Sequence, residues 1–343
     1  MVSMKDIAKR CGVSVATVSK ALNDQQDISV ETRKRIRQLA DEMGYLANAS
    51  ARALKTNRSY NIGVLFVDKR SSGLAHEYFS AVLDSLRVEA ESHGYDITFI
   101  SASGRQTNSY LQHCRYRGVD GVVIASVDFT DPMVLELVNS DIPVVTIDHV
   151  FNNRVAVVSD NVGGVETLVR YAADRGHRKL AFIHGEMTAV TENRLSGFYR
   201  ACAEQGIEVD ERYVRQSSYH DSAGCYEITK KLLELPDRPS CILFPDDFSY
   251  IGALNAITEA GLRIPEDISA MGYDGIHLSQ IISPRLTTYR QNTRELGRIA
   301  AAKLVELIES PRTVLLDRIV VKGELLEGQS VRCLNGEWQA AKP

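Results

Sequence analysis

From Asn61 onward the chain alternates short runs of apolar, often β-branched residues with longer amphipathic stretches. Continuous apolar runs separated by helices predict parallel sheets that are covered on both faces. The predicted strands fall into two series, 61–67, 96–101, 121–125 and 143–147, followed by 180–183, 240–244 and 269–273. Two such series predict two α/β lobes, with a ligand cleft beyond the carboxyl ends of the strands.

Helices are predicted between these strands over residues 79–92, 162–175, 194–205, 223–235 and 251–260. The chain of 343 residues is long enough for two or three domains, and an apolar fraction of 44% excludes wholesale disorder. The sequence has no run of about 18 apolar residues, so no membrane span is expected. Residues 1–11 contain no apolar signal core, so we expect a cytoplasmic protein.

Cysteine usage predicts reduced thiols rather than disulfides or a zinc site. The cysteines are widely scattered and form no close pairs, at Cys11, Cys114, Cys202, Cys225, Cys241 and Cys333. No histidine has the spacing of a metal ligand, so neither a metal nor a cofactor is expected.

Charge is distributed unevenly along the chain. Residues 1–58 contain 11 Lys and Arg residues against 6 Asp and Glu residues, a net charge of +5 that leaves −9 on the remainder. A basic head on an acidic body indicates that the head contacts a polyanion. A solvated basic surface is the alternative, and charge by itself does not separate the two.

Three short helices are predicted in the basic head. The first covers Met4 to Cys11 and ends at Gly12, and the second covers residues 15–22 behind the N-cap Ser14. A third follows the N-cap Ser29 and ends at Gly44. Two short helices joined by a turn with glycine and braced by a third are typical of a helix-turn-helix, although a plain three-helix packing module has the same outline.

The second helix is the candidate DNA-reading helix, because such a helix fits the major groove. Val15, Ala16, Ser19 and Lys20 lie on its predicted outer face, where Val15 suits a thymine methyl group and Lys20 a guanine or a phosphate. Ser14, Thr17 and Ser19 are candidate phosphate donors. The predicted DNA contacts are Ser14, Val15, Ala16, Thr17, Ser19, Lys20 and, at the end of the helix, Asn23.

The head resembles the DNA-binding region of the LacI/GalR family of bacterial transcription regulators. The resemblance rests on Asp6-Ile7-Ala8, Gly12-Val13-Ser14 and the run from Thr17 to Asn23, and it continues through Ser29 to Arg33 and Gly44-Tyr45. It then extends over almost the whole chain. It implies a sequence-specific regulator of transcription, most members being repressors.

Residues 48–55 have a helix-forming composition but only about two turns of length, so a helix there would be marginal in isolation. The resemblance implies a hinge helix that folds on DNA, with Leu54 as an apolar wedge in the minor groove. A plain helical linker is the alternative. The family usually has proline where this chain has Ala47, which predicts a less rigid start to the hinge.

The resemblance also implies lobes of the periplasmic-binding-protein type, between which the chain crosses three times. The predicted domains are therefore a helix-turn-helix head over 1–46, a hinge helix and linker over 47–59, and a two-lobed effector-binding and dimerisation body over 60–343. Within the body the first lobe is predicted over about 60–158 and 289–317, and the second over about 159–288 and 318–334. No heptad repeat follows at the end of the chain, which favours a homodimer over a coiled-coil tetramer.

Polar side chains follow several predicted strands, where the cleft is expected. Carboxylates and a guanidinium bind neighbouring hydroxyl groups, and an aromatic ring covers an apolar sugar face. The candidates are Asp148, Asp246 or Asp247, Asp274, Arg194 at the start of a helix, and Tyr219. Structural alternatives are a helix N-cap for Asp274, a turn for Asp148, an interlobe ion pair for Arg194 and simple packing for Tyr219. Of the adjacent Asp246 and Asp247, only one is expected to enter the cleft.

The resemblance places Tyr78, Phe79, Asp148, Arg194, Tyr219, Asp246 and Asp274 at the family's effector-contacting positions. Asp246 departs from the common asparagine, and an additional carboxylate favours a neutral or cationic ligand unless Arg194 offsets it. His76 and Glu77 replace the usual Asn-Pro, Gly275 replaces a frequent polar residue, and the loop over 69–75 is enlarged. His177 is expected to be structural, whereas the roles of His149 and His184 stay open.

We therefore predict a homodimeric repressor of carbohydrate-utilisation genes that binds a near-palindromic duplex and a sugar-like effector between its lobes. Three alternatives remain. An enzyme is disfavoured because there is no dinucleotide-binding glycine motif, Walker loop or nucleophile elbow, although cleft carboxylates would suit a glycosidase. A free periplasmic sugar carrier conflicts with the basic head, and an architectural DNA-binding protein leaves the large body without a role.

Overall fold

In a computed structural model of the protein, the described residues are 2–22, 25, 27–45, 58–67, 73–102 and 108–335. The chain divides into two compact units between Ser59 and Tyr60, here called the head and the body. Most of the predicted hinge, including Leu54, and the DNA candidate Asn23 lie outside the described residues.

Within the described residues of the head, three helices surround a small apolar core. They are α1 (Met4–Cys11), α2 (Val15–Leu22) and α3 (Val30–Glu42). Both predicted caps are present, since Ser14 Oγ accepts a hydrogen bond from the Thr17 amide at 3.1 Å and Ser29 Oγ accepts one from the Thr32 amide at 3.2 Å. The core is formed by Ile7, Ala8, Cys11, Val18, Ala21, Ile36 and Ala40. The expected three-helix arrangement is therefore confirmed.

The described part of the body contains two six-stranded sheets, one in each lobe. In the first, whose order is β11-β5-β4-β3-β1-β2, every strand pair is parallel. The second has the order β12-β10-β9-β8-β6-β7 and is parallel except at β10–β12. The strands are β1 (Asn61–Phe66), β2 (Asp96–Ile100), β3 (Gly121–Ser126), β4 (Val144–Ile147), β5 (Val155–Ser159), β6 (Leu180–His184), β7 (Val214–Gln216), β8 (Cys241–Leu243), β9 (Ser269–Asp274), β10 (Thr287–Arg290), β11 (Arg318–Val321) and β12 (Glu324–Leu326).

Helices cover both faces of each sheet, as the continuous apolar strands predict. In the first lobe, Val64 belongs to the apolar cluster on one side of the sheet and its neighbour Leu65 to the cluster on the other. The body helices are α4 (Glu77–Ser92), α5 (Tyr110–Arg117), α6 (Pro132–Val138), α7 (Asn161–Asp174), α8 (Ala189–Glu204), α9 (Ser222–Leu233), α10 (Tyr250–Glu259), α11 (His277–Ile281) and α12 (Thr293–Glu309). The two-lobed α/β architecture is confirmed.

The chain passes between the lobes three times, after β5, β10 and β11. The last crossing differs from the expectation that residues 318–334 lie in the second lobe, because Arg318–Val321 pairs in parallel with β5 of the first sheet. Likewise Tyr289 and Arg290 complete β10 of the second sheet instead of beginning the return to the first lobe. Apolar periodicity identifies a strand but not the sheet that it joins, so these boundaries could not be placed from the residues.

Helix α12 fastens the returning chain to the first lobe by packing against α4. A Cβ atom at Gly297 would lie 2.2 Å from the carbonyl oxygen of Val82, so only glycine permits this approach of the two backbones. Leu296 and Ala300, on either side of it, are fully buried in the first-lobe core. Within the described part of the chain, no helix is sufficiently long and apolar to span a membrane.

His177 is structural, as expected. Its imidazole is 1% exposed and lies 2.9 Å from Ser240 Oγ and 3.0 Å from the carbonyl oxygen of Arg332. Burial lowers the pKa of His177 from 6.5 to about 4. The unfolded chain therefore binds a proton between these values that the folded chain does not, and folding stability must fall as the pH drops through this window.

We expect the body to lose roughly 3 kcal/mol of unfolding free energy through His177 between about pH 7 and pH 4. His177→Asn should be less stable at neutral pH but should lack this part of the acid loss, which urea unfolding at a series of pH values would measure. Replacing the exposed His93 by Gln provides the control. An acid loss of equal size in the wild type and in His177→Asn would contradict the assignment.

Candidate functional site

The outer face of α2 presents the predicted DNA contacts in the head. Val15 is 42% exposed and Ala16 is also exposed, whereas Ser14 and Thr17 bond to each other at the cap, with 2.9 Å between their hydroxyl oxygens. Lys20 forms an ion pair with Asp27 on the surface. Because an exposed ion pair contributes little to folding stability, the Lys20 ammonium is available to exchange Asp27 for a phosphate or a base.

The body contains a cavity of about 240 Å³ between the lobes. It lies beyond the carboxyl ends of the strands, the position expected for a ligand in parallel sheets. All seven residues predicted to contact an effector line it: Tyr78, Phe79, Asp148, Arg194, Tyr219, Asp246 and Asp274. The structure therefore brings together side chains that are up to 196 positions apart in the sequence.

Asp148 follows β4 in the left-handed conformation, with φ of 56°. Its Oδ1 accepts a hydrogen bond from the Ser159 amide at 2.6 Å, and its Oδ2 accepts one from the Tyr78 hydroxyl at 3.1 Å. Burial raises the pKa of Asp148, although these donors oppose the rise. Asp148 thus stabilises the turn, as its structural alternative proposed, and also faces the cavity with unused acceptor capacity on Oδ1, since Oδ2 has a second donor in the Ser159 hydroxyl at 3.5 Å.

Arg194 lies in the second turn of α8 rather than opening the helix, because the helix begins earlier, at Ala189. Its Nε donates to Asn161 Oδ1 and its Nη1 to the carbonyl oxygen of Pro245, both at 2.8 Å. The guanidinium carbon lies 3.6 Å from the centre of the Tyr273 ring and 5.3 Å from that of Tyr219. These contacts fix a cationic donor in the cavity wall at 4% exposure.

Asp274 ends β9 and does not cap the next helix, whose N-cap is Ile276. Its Oδ1 accepts a hydrogen bond from Gln291 Nε2 at 2.7 Å. Burial, together with the carboxylates of Asp246 and Asp148, raises the pKa of Asp274 to about 7 despite the nearby Arg194. At neutral pH this side chain therefore both accepts and donates hydrogen bonds, which suits a ligand hydroxyl group.

Asp246 enters the cavity and Asp247 does not, as expected for adjacent residues. Asp246 is nevertheless well supplied by protein donors, accepting from the Ser249 amide and the His220 amide at 2.7 Å each and from the Ser249 hydroxyl at 2.8 Å. Asp247 is buried against Thr288 and the Ile276 amide. The additional carboxylate thus organises the loop around His220 as well as lining the cavity.

Aromatic rings form much of the remaining wall. The Tyr219 hydroxyl lies 2.8 Å from Thr191 Oγ1, so Tyr219 is packed and hydrogen-bonded as well as facing the cavity. Phe79 packs against Phe66 with 5.2 Å between ring centres. On the first-lobe side, Phe129 stacks on His149 at 4.1 Å. These faces are suited to the apolar side of a sugar ring.

Several lining residues were not predicted as effector contacts: His76, Phe129, His149, Glu186, His220 and Gln291. The strand-end rule would have found Glu186, which follows β6. Gln291 follows β10, a strand absent from the predicted series, and its buried Oε1 has no hydrogen-bond partner among the described residues. Burial lowers the pKa of His149, so this ring is neutral at physiological pH.

The remaining residues of interest are His184, the potential metal ligands and the cysteines. His184, whose role was open, is buried with its Nδ1 2.9 Å from the carbonyl oxygen of Gly185. Among the described residues no group of three or more metal-ligating side chains comes together. All six cysteines are free thiols, and five of them are buried.

Residues 3–48 match the family described as bacterial regulatory proteins of the lacI family, and residues 169–331 match a periplasmic binding protein-like domain. A curated relative, the probable HTH-type transcriptional repressor ExuR of Bacillus subtilis, is 31% identical over 97% of this chain and 99% of its own length.

Solved structures show the same fold. The lac repressor dimer bound to operator and the anti-inducer ONPF superposes with a TM-score of 0.80 at 24% identity, over 96% of this chain and 99% of that one. A regulator of Enterococcus faecium with bound ribose has a TM-score of 0.69 at 24% identity, over 80% of this chain and 100% of that one.

Proposed function

Because the chain belongs to the LacI family of bacterial regulatory proteins, we propose that it is a ligand-responsive repressor in which the cavity between the lobes binds a sugar or sugar derivative. The protein is a transcriptional regulator with a DNA-binding helix-turn-helix. The observation that carries the ligand proposal is the convergence of Tyr78, Phe79, Asp148, Arg194, Tyr219, Asp246 and Asp274 on one cavity.

The wall chemistry supports a polyhydroxylated ligand. Arg194 supplies a fixed donor, and Asp148 and Asp274 supply acceptors. The cavity, at about 240 Å³, is smaller than the ~300–1,000 Å³ typical of sites for drug-sized ligands, which favours a single sugar ring. The ribose bound to the Enterococcus faecium relative supports the same ligand class.

In the DNA complex, two heads of a homodimer would occupy adjacent major-groove half-sites of a near-palindromic operator in the cytoplasm. Ser14, Val15, Ala16, Thr17, Ser19, Lys20 and Asn23 are the proposed contacts, with Leu54 of the hinge in the minor groove. The operator-bound dimer of the lac repressor supports this arrangement. Ligand-dependent closure of the lobes would then change the geometry of the paired hinges and the affinity for DNA.

An enzyme that uses the cleft carboxylates is the weaker candidate. Asp148 and Asp246 each accept hydrogen bonds from several protein donors, so both carboxylates help to hold the cavity wall in place. The curated relatives are repressors. Incubation with sugars and glycosides should therefore give binding without turnover.

A thermal-shift screen of sugars, sugar acids, amino sugars and phosphosugars tests the ligand proposal. A ligand present at about 100 times its dissociation constant should stabilise the body by roughly 2.7 kcal/mol, which raises its melting temperature by several degrees. A matched screen of the Arg194→Met variant should lose the shift. If the wild type responds to no member of the panel, the proposed ligand class is wrong.

A further inference from the structure

We infer that His76 and His220 are positioning residues for the effector. Their stacked rings hold the two lobes together over the cavity as long as no more than one of the two rings is charged. Both rings line the cavity. They stack on each other with 4.2 Å between ring centres and 24° between ring planes. The inference rests on the proposed function, because it concerns the closure of the same cavity.

The stack joins one lobe to the other. His76 is the N-cap of α4 in the first lobe, and His220 lies just before α9 in the second. The next residue along, Glu77, makes a second interlobe contact, since its carboxylate accepts a hydrogen bond from the backbone amide of His277. We call these four residues, His76, Glu77, His220 and His277, the interlobe latch.

Each imidazole is held in place by its own lobe. The ring of His76 contacts that of Phe79 edge-on, with 4.9 Å between centres. The ring of His220 stacks on Phe248 at 3.8 Å and 9°, and its backbone amide donates to Asp246. His220 also has φ of 54°, a left-handed conformation that a residue with a side chain seldom adopts unless its surroundings impose it. The two rings are therefore presented to each other by preorganised supports.

The charge around the stack determines its response to acid. Among the residues that the structure describes, the titratable and charged groups of the surrounding elements are Glu77 and Tyr78 on the first-lobe side, Glu186, Tyr219, Asp221 and Asp246 on the second-lobe side, and Asp148, His149, Arg194 and Asp274 along the cavity. The carboxylates among them offset one positive charge on the pair. A second positive charge would face the first at 4.2 Å in a partly buried site, where screening is weak.

Imidazole is the side chain that ordinarily changes charge between about pH 5 and pH 8. The stack should therefore break in mild acid, and the lobes should open. Because closure completes the ligand site, effector affinity should fall with it. We expect the affinity to be at least about fivefold weaker near pH 5 than near pH 7.5, a change within the range of measured coupling between sites.

Lobe closure can be measured without a ligand. Spin labels on the exposed positions 136 and 231, one in each lobe, report the interlobe distance by pulsed electron resonance in the full-length protein. Cys333 is replaced by Ser so that this partly exposed thiol is not labelled, and labelled chains are diluted in unlabelled ones. The wild-type distance should lengthen near pH 5. His76→Phe and His220→Phe retain a stacking ring but carry no charge, so each should keep the neutral-pH distance at both pH values.

His277→Gln is the matched control, because this histidine enters the latch through its backbone amide and its side chain is exposed. This variant should open in acid as the wild type does. A wild-type distance that does not change with pH, or an equal acid response in His76→Phe, His220→Phe and the wild type, would overturn the inference.

A measurement of ligand affinity separates this inference from the proposed function. A sugar found in the thermal-shift screen is titrated by calorimetry near pH 7.5 and near pH 5 against the wild type and His76→Phe. If it binds equally well at both pH values to both proteins, the latch is wrong and the sugar-binding function stands. If no sugar binds but the interlobe distance still responds to acid through His76, the latch stands and the proposed ligand class is wrong.

Discussion

Asp274→Ala is expected to abolish the effector response while leaving operator affinity unchanged. Asp274 lies in the cavity wall, where it accepts a hydrogen bond from Gln291, and its raised pKa of about 7 reflects burial together with the carboxylates of Asp246 and Asp148. A hydrogen bond that involves a charged group contributes roughly 1.5–3 kcal/mol, so its loss weakens ligand binding about tenfold to a hundredfold. The reading helix α2 lies in the head, which has its own core, and should bind DNA as before.

The response is measured by titrating operator DNA with and without the ligand, at a concentration that just saturates the wild type. Asp237→Ala, which removes an exposed second-lobe carboxylate paired with Lys179, is the matched control and should respond as the wild type does. Asp274→Asn retains the size of the side chain and should recover part of the response if hydrogen bonding is what matters. An undiminished response in Asp274→Ala would show that the cavity residues are wrongly assigned.

Ile7→Ala is expected to have the reverse effect, with loss of operator binding and retention of ligand binding. Ile7 is fully buried in the seven-residue core of the head. Truncating a buried isoleucine to alanine costs about 2–5 kcal/mol, which approaches the whole stability of so small a unit. Without the core, α2 has no partner to hold its outer face towards a groove.

Two measurements check this outcome. Operator titration should show no sequence-specific binding by Ile7→Ala, and the thermal shift of the body with a ligand from the sugar screen should equal that of the wild type. Val30→Ala is the control, because Val30 is 79% exposed on α3 of the same head. Specific binding by Ile7→Ala at wild-type affinity would contradict the assignment of the head as the DNA-reading unit.

The sequence predicted which side chains line the cavity better than it predicted the hydrogen bonds that hold them in place. Asp148, Asp246 and Asp274 follow apolar strands, and the ends of parallel strands meet at one edge, so their convergence follows from local pattern and topology together. Tyr78 and Phe79 were placed by family resemblance only. The hydrogen bonds that hold Asp246 come from Ser249 and His220, and no sequence pattern identifies those partners.

Contacts between the lobes could not be predicted from the sequence. His76 and His220 are 144 positions apart, and neither is in a motif that requires the other. Strand β11 illustrates the same limit, because the alternating exposure of Arg318–Val321 fits the edge of either sheet. Long-range pairing is decided by how the whole chain packs, whereas periodicity records only which face of an element is buried.

These arrangements support one central claim, that a ligand in the cavity between the lobes controls how strongly the heads hold operator DNA. The most direct test is operator affinity, on a duplex selected from a random pool, with and without a sugar that stabilises the body. We predict a change in operator affinity of at least about fivefold, in the range typical of allosteric coupling. A ligand that binds the cavity tightly and leaves operator affinity the same would contradict the claim.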